Sequence, residues 1–131
     1  MNLYGLDMDE STHPLESALE WTIAWEPAER SFIGRAALER VRGAGTARRL
    51  CGLLLEERAV MRSHQRVVVP GEGEGLVTSG TFSPTLSRSI ALARLPAGQA
   101  REVHVEVRGK LLPARVVRPP FVRHGRALIQ V

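Results

Sequence analysis

The stretch EVHVEVRGKLLPARVV, residues 102–117, sets the fold class. Val103, Val105 and Val107 alternate with His104 and Glu106, the period of a strand with one buried face. A second apolar run begins beyond Arg108, Gly109 and Lys110, and Gly109 supplies the positive φ that a tight antiparallel bend requires. The segment reads as a hairpin whose valines face a core and whose His104 faces solvent. The same rhythm recurs upstream. RRLCGLLLEE (48–57), QRVVVP (65–70), GLVTSGTF (75–82) and SRSIALARL (87–95) are short β-rich runs separated by Gly, Pro and polar turns. VVVPGEGEGLVTSG (67–80) forms a further hairpin with a loose tip. Counting the two runs of 102–117, six strands in this spacing predict a mainly β fold. The expected form is a six-stranded antiparallel barrel, Greek-key or jelly-roll-like, because closure removes exposed edges.

The first third of the chain has a different texture. In HPLESALEWTIAW (13–25), Pro14 suits the first turn of a short helix, where its missing N–H would be an orphan in any case. Leu19, Trp21, Ile23 and Trp25 then alternate with polar or small residues, which predicts a strand. FIGRAALERVRGAG (32–45) places Ile33, Ala37 and Val41 at helical spacing and ends in glycines, a helix stop. A turn of helix, a strand and a helix cannot close a core of their own. Residues 1–45 are therefore expected as an appendage and 46–131 as the barrel.

At 131 residues and 44% hydrophobic content the chain can build one core and a small extra element. Its single cysteine, Cys51, rules out an internal disulfide framework and fits a reducing compartment such as the bacterial cytoplasm. No run approaches the ~18 consecutive apolar residues of a membrane helix, and the acidic opening is unlike a basic leader. The formal charge of +4 is unevenly spread. Residues 1–45 hold eight acids against four arginines, whereas 46–131 hold six acids against fourteen basic residues. Such asymmetry points to two structural units, or to an anion-facing surface on the second.

MNLYGLDMDESTHPLES (1–17) crowds Asp7, Asp9, Glu10 and Glu16 around His13 and Pro14. An EF-hand loop would need a third acid, a glycine and a twelfth-position glutamate that this sequence lacks. Nothing in the spacing places these acids in one pocket for acid–base work, and the plainer reading puts Asp9, Glu10 and Glu16 around a helix start, where the macrodipole favours anions. PGEGEG (70–75) is followed by a strand rather than a helix, so it reads as a hairpin tip and not a phosphate cradle. His13, His64, His104 and His124 lack the close spacing of a zinc site. Cys51 in an apolar strand reads as inert, and Ser79, Ser83 and Ser87 lack a nucleophile elbow. No catalytic residue and no metal ligand is assigned. Residues 46–131 contain only Phe82 and Phe121 as aromatics, too few for the stacking platforms of a nucleic-acid groove.

GLVTSGTFSPTLSRSIALARLP (75–96) is a more specific string, and it resembles the C-terminal region of the glycine cleavage system T protein, a tetrahydrofolate-dependent aminomethyltransferase. The opening MNLYGLDMDESTHPLESALEWTIAW, the segment RSFIGRAALERV (30–41) and the late PPFVRHGRA (119–127) resemble the same family in order. His13 departs from the Ser or Thr cap expected before the proline, which puts one local capping bond in doubt. The resemblance implies that residues 1–45 are a remnant of a preceding middle domain and 46–131 the C-terminal barrel. It implies an enzyme that takes an aminomethyl group from the lipoyl arm of the H protein, releases ammonia and forms methylenetetrahydrofolate. Folate would sit in a cavity between several domains, with the key aspartate in an N-terminal part, so this chain alone is expected to be inactive. Arg62 in AVMRSH falls near the expected cavity mouth, and Arg126 in FVRHGRA near the expected folate tail. A guanidinium fork suits a glutamyl carboxylate. TSGTFSP (78–84) is expected to build a turn, with Gly80 and Pro84 shaping the chain.

Two other readings stand beside this one. The first is the related folate domain of a sarcosine or dimethylglycine dehydrogenase. The second is a non-catalytic basic barrel that docks an acidic protein or nucleic acid, whose binding would fall steeply with salt. Expected partners are the H protein, with neither nucleic acid nor membrane. Trp21, Ile23 and Trp25 offer a surface through which the chain could dimerise.

Overall fold

A computed structural model describes residues 2–131. Six strands form the expected barrel: β1 (Arg48–Leu55), β2 (Arg66–Val69), β3 (Gly73–Ser83), β4 (Arg88–Pro96), β5 (Glu102–Val107) and β6 (Lys110–Val117). Every pairing is antiparallel, and the order β1-β4-β3-β2-β5-β6 closes where β6 pairs with β1. Strands β2, β3 and β4 run as a meander. The connections on either side of it, residues 56–65 and 97–101, place β1 beside β4 and β5 beside β2, which is Greek-key connectivity.

The hairpin of residues 102–117 joins β5 to β6 with Val107 opposite Lys110. Arg108 and Gly109 both take positive φ, 52° and 76°, the two-residue turn whose twist matches the strands. Val103, Val105 and Val107 enter the core, while His104 is half-buried on the outer face. From β1 the core takes Cys51, Leu53 and Leu55. The alternate residues Leu50, Gly52 and Leu54 are buried too, because other segments cover the outside of this strand. That double burial explains its unbroken apolar run.

Residues 2–47 carry two 3-10 turns, Pro14–Glu16 and Glu20–Thr22, and one helix, α1 (Arg35–Ala44). Pro14 opens the first turn as expected, and His13 before it provides no side-chain cap. The strand expected over residues 19–25 is absent. Trp21 is 82% exposed and lies in the second turn, where the Thr22 hydroxyl donates to the Leu19 carbonyl at 2.6 Å. A strand needs a ladder partner, and a barrel closed through β6 and β1 offers none. Helix α1 starts after Gly34, which has φ 88°, so Ile33 falls outside it and is exposed. The helix buries no residue. Its neighbourhood is held instead by Trp25 and Phe32, with ring centroids 6.4 Å apart, and by Arg42 at 4.7 Å over the Trp25 ring.

A two-residue hairpin missed in the sequence, β7 (Val122–Arg123) and β8 (Arg126–Ala127), follows the barrel. His124 and Gly125 supply its positive-φ turn. No helix among the described residues is long and apolar enough to cross a membrane.

Candidate functional site

The acids of the opening segment do not share one role. Asp7 is completely buried, at 0% exposure, against the outside of β3. Its Oδ2 accepts the Leu3 N–H at 2.8 Å, and its Oδ1 lies 2.5 Å from Thr78 Oγ1 and 2.7 Å from Ser79 Oγ. Two consecutive strand residues normally point to opposite faces. Here a β-bulge breaks the register between Val77 and Ser79, leaving Thr78 unpaired, so both hydroxyls turn toward the same carboxylate. Beside them the buried Arg94 of β4 donates from Nη2 to the Asp7 carbonyl at 2.7 Å and to Ser17 Oγ at 3.3 Å. Its Nε and Nη2 both reach the Glu16 carbonyl at 3.4 Å. The Asn2 amide donates to the Ser17 carbonyl at 2.6 Å.

Residues 2–17 are thus strapped over β3 and β4 by buried polar bonds, and Asp7 has a role apart from the acids Asp9, Glu10 and Glu16 that were expected around a helix start. A three-residue turn develops no macrodipole to satisfy, whereas a buried carboxylate must find donors. Glu16 is also buried and lies 3.3 Å from Arg48. Asp9 remains exposed. It accepts the Ser11 hydroxyl at 2.6 Å and the Ser11 N–H at 2.8 Å, and the hydroxyl bond, followed by the N–H bond, holds its carboxyl below the usual range.

The strap forms one wall of an open groove of about 1210 Å³. Its floor is the outer face of β3 and β4 together with Leu50 of β1: Ser79, Gly80 and Thr81 beside Ile90 and Leu92. Its far wall is the segment from Arg118 to Arg123, whose Phe121 ring covers Gly52 so closely that a Cβ there would meet Phe121 Cζ at 2.8 Å. Glu20 and Trp21 stand at the strap end. Aliphatic and hydroxyl groups on the floor with guanidinium groups at the rim suit a flat polar molecule with an anionic tail.

Gly80 is not in a turn, as TSGTFSP suggested, but inside β3. The Met61 backbone crosses it, and a Cβ at Gly80 would lie 2.4 Å from the Met61 carbonyl oxygen. Pro84 does open the turn to β4, its carbonyl accepting the Ser87 N–H at 3.2 Å. Arg62 follows Met61 on an exposed loop, its N–H bonded to Gln65 Oε1 at 2.9 Å. Arg126 is exposed on β8, directly opposite Arg123. Arg123 lines the groove, whereas Arg62 and Arg126 lie outside its lining. Sequence reasoning singled out neither Arg118 nor Arg123. The only available signal was their position flanking PPF in a segment without regular periodicity.

Cys51 is buried with its Sγ 3.7 Å from the Ala93 carbonyl, and burial pushes its thiol up to about 11 against a smaller opposing pull from Arg49. A thiol so placed stays protonated and unreactive at neutral pH. Among the described residues no three His, Cys, Asp or Glu side chains are grouped as a metal site would require.

Comparison with known proteins is specific. The sequence profile of the glycine cleavage T-protein C-terminal barrel domain matches residues 48–123. An aminomethyltransferase of Pseudomonas syringae pv. tomato is 62% identical over 129 residues, covering 98% of this chain and 36% of that protein. One from Methylococcus capsulatus is 58% identical over 131 residues, covering 100% of this chain and 36% of that protein. The crystal structure of the glycine cleavage system aminomethyltransferase T from Bartonella henselae superposes with a TM-score of 0.83 at 28% identity, over 93% of this chain and 35% of that one. The chain spans about a third of the length of the relatives it matches. It belongs to the glycine cleavage T-protein C-terminal barrel domain family.

Proposed function

We propose that the chain supplies the C-terminal barrel of a tetrahydrofolate-dependent aminomethyltransferase of glycine cleavage. In that reaction an aminomethyl group passes from the lipoyl arm of the H protein to tetrahydrofolate and ammonia is released. The observation that carries the reading is the groove between the strap, β3–β4 and the Arg118–Arg123 wall, on a barrel that is 62% identical to part of an aminomethyltransferase. Residues 1–45 are read as the remnant of a preceding domain and 46–131 as the barrel domain. The unburied helix α1 supports that division. The chain alone does not turn over. This is supported by Asp7, a fully buried carboxylate that is already occupied by three structural donors. The buried thiol suits a reducing compartment such as the bacterial cytoplasm.

Arg62 and Arg126 are assigned to the folate. Arg123 and Arg126 face each other across the β7–β8 hairpin without a carboxylate within 4.0 Å among the described residues. Like charges directly opposite repel, and the anionic tail of a folate would relieve that repulsion with a guanidinium fork. Calorimetric titration of the chain with tetrahydrofolate tests the assignment. Binding that is lost in Arg126→Ala and weakened in Arg62→Ala supports it, and folate binding indifferent to both substitutions overturns it.

A second surface is left open by the same architecture. Of Trp21, Ile23 and Trp25, Trp21 is 82% exposed and the other two are half-buried; Trp21, with the nearby exposed Ile33 in sequence, presents apolar area that a second copy can cover. Mass that rises with concentration in light scattering supports a dimer through this segment, and a strictly monomeric chain removes it.

A further inference from the structure

We propose that a second hollow, separated from the groove by Arg118 and Pro119, is a binding site for a phosphate dianion. It lies at one end of the barrel between the start of β1, the connection from β4 to β5 and the end of β6, with a volume of about 440 Å³. Three guanidinium groups line it: Arg49 from β1, Arg101 from the connection and Arg118 after β6. None of the three has a carboxylate within 4.0 Å among the described residues, whereas the adjacent Arg48 is paired with Glu16.

Arg49 is the built element. Its Nη2 donates to the Ala100 carbonyl at 3.2 Å, which fixes the plane of the guanidinium against the loop that carries Arg101. Its Nε is buried and has no acceptor. A buried donor without a partner is costly and uncommon in folded proteins, and it marks a place where an acceptor belongs. The loop is itself held: the Val116 N–H donates to the Arg101 carbonyl at 2.8 Å, and Glu72 accepts the Gln99 N–H at 3.2 Å. The Glu72 carboxylate lies against Gly98, so close that a Cβ there would meet Glu72 Oε2 at 2.2 Å. Three guanidinium groups and no carboxylate line the hollow, and a phosphate dianion supplies the charge and the acceptor oxygens that they lack. Planar forks of N–H donors match phosphate oxygens in pairs. The dianion can arrive as free phosphate or as the phosphate of a small ester, and both present the same oxygens to the arginines.

The inference does not depend on the folate reading. Calorimetric titrations of the chain at low ionic strength with inorganic phosphate, with glycerol 3-phosphate and with glycerol test it, with phosphorus NMR as a second readout. One saturable site is expected for the phosphates and none for glycerol. Tighter binding of the ester assigns the site to phosphate esters, and tighter binding of inorganic phosphate assigns it to the free ion. Arg101→Gln, on an exposed loop, is expected to weaken binding at least tenfold, and Arg49→Gln likewise. Arg108→Gln, at the exposed β5–β6 bend outside this hollow, should change it less than twofold. Absence of saturable binding overturns the proposal. So does equal weakening by Arg108→Gln, which would mean attraction to a basic chain in general, or binding unchanged in a folded Arg101→Gln variant.

Discussion

Replacing Asp7 with asparagine should loosen the strap over the barrel while leaving the barrel itself intact. Asp7 serves three donors with two oxygens: Leu3 N–H on Oδ2, and the Thr78 and Ser79 hydroxyls on Oδ1. An amide has one oxygen. If that oxygen stays on the hydroxyl side, its NH2 meets the Leu3 N–H head on, donor against donor. In the reverse orientation both hydroxyls must rotate, and Thr78 turns to the Leu92 carbonyl at 3.1 Å. Hydrogen bonds to a charged group are each worth about 1 kcal/mol more than neutral ones. With one bond broken or rearranged as well, the strap loses about 2 kcal/mol, or about 30-fold in its local opening equilibrium. Asp7→Ala should cost at least as much. Native-state hydrogen exchange reads this directly. Protection of the Leu3, Asp7 and Ser17 amides is expected to fall about 30-fold, while that of core amides such as Ala93 and Val105 stays nearly constant. A change below about threefold at Leu3 and Asp7 would refute the lock, as would a parallel fall in the core amides.

Other consequences can be checked on single variants. Gly80→Ala forces a Cβ onto the Met61 backbone and should cost about 2–3 kcal/mol in chemical denaturation. Gly43→Ala, in α1 with open space around it, should be neutral or stabilising by up to about 1 kcal/mol. If the two glycines prove equally tolerant, the close approach at Gly80 is wrong. The raised Cys51 thiol gives a pH signature. Below the ordinary value of 9.0 both folded and unfolded states keep the proton and the full stability is present. Between 9.0 and about 11 the unfolded chain ionises first, and the fold loses up to about 2–3 kcal/mol. Comparing denaturation of Cys51→Ala and the parent at pH 8 and pH 10.5 checks this, since the alanine variant lacks that increment of alkaline loss. Arg66→Ala removes exposed pairs to Glu74 and Glu106, both at 2.6 Å, and should cost less than about 1 kcal/mol, falling further in salt.

The barrel was legible because its signal is local. Alternating valines in β5, a glycine at the β5–β6 bend and β-rich runs between turns each specify their own element, and closure follows from the need to pair every edge. The opening segment was not legible, because its physics is long-range. Trp21, Ile23 and Trp25 have the period of a strand but no edge to join, and Asp7 is defined by Thr78 and Ser79, more than seventy residues away. Nothing in VTSG announces that a bulge at Thr78 turns two neighbouring hydroxyls the same way. The groove was hidden for a similar reason. Its floor comes from the outer faces of strands whose inner faces produced the pattern, and its arginine wall comes from an irregular segment. Local periodicity carries no signal where faces from distant segments meet.

The most direct test of the central claim is a transplant. This chain would replace the 62% identical region of the Pseudomonas syringae pv. tomato aminomethyltransferase, and ammonia release from aminomethylated H protein would be measured with tetrahydrofolate. The account predicts activity within about tenfold of the parent enzyme, a difference of about 1.4 kcal/mol in the barrier, and no turnover by the chain alone. A folded but inactive chimera, or turnover by the isolated chain, would contradict it.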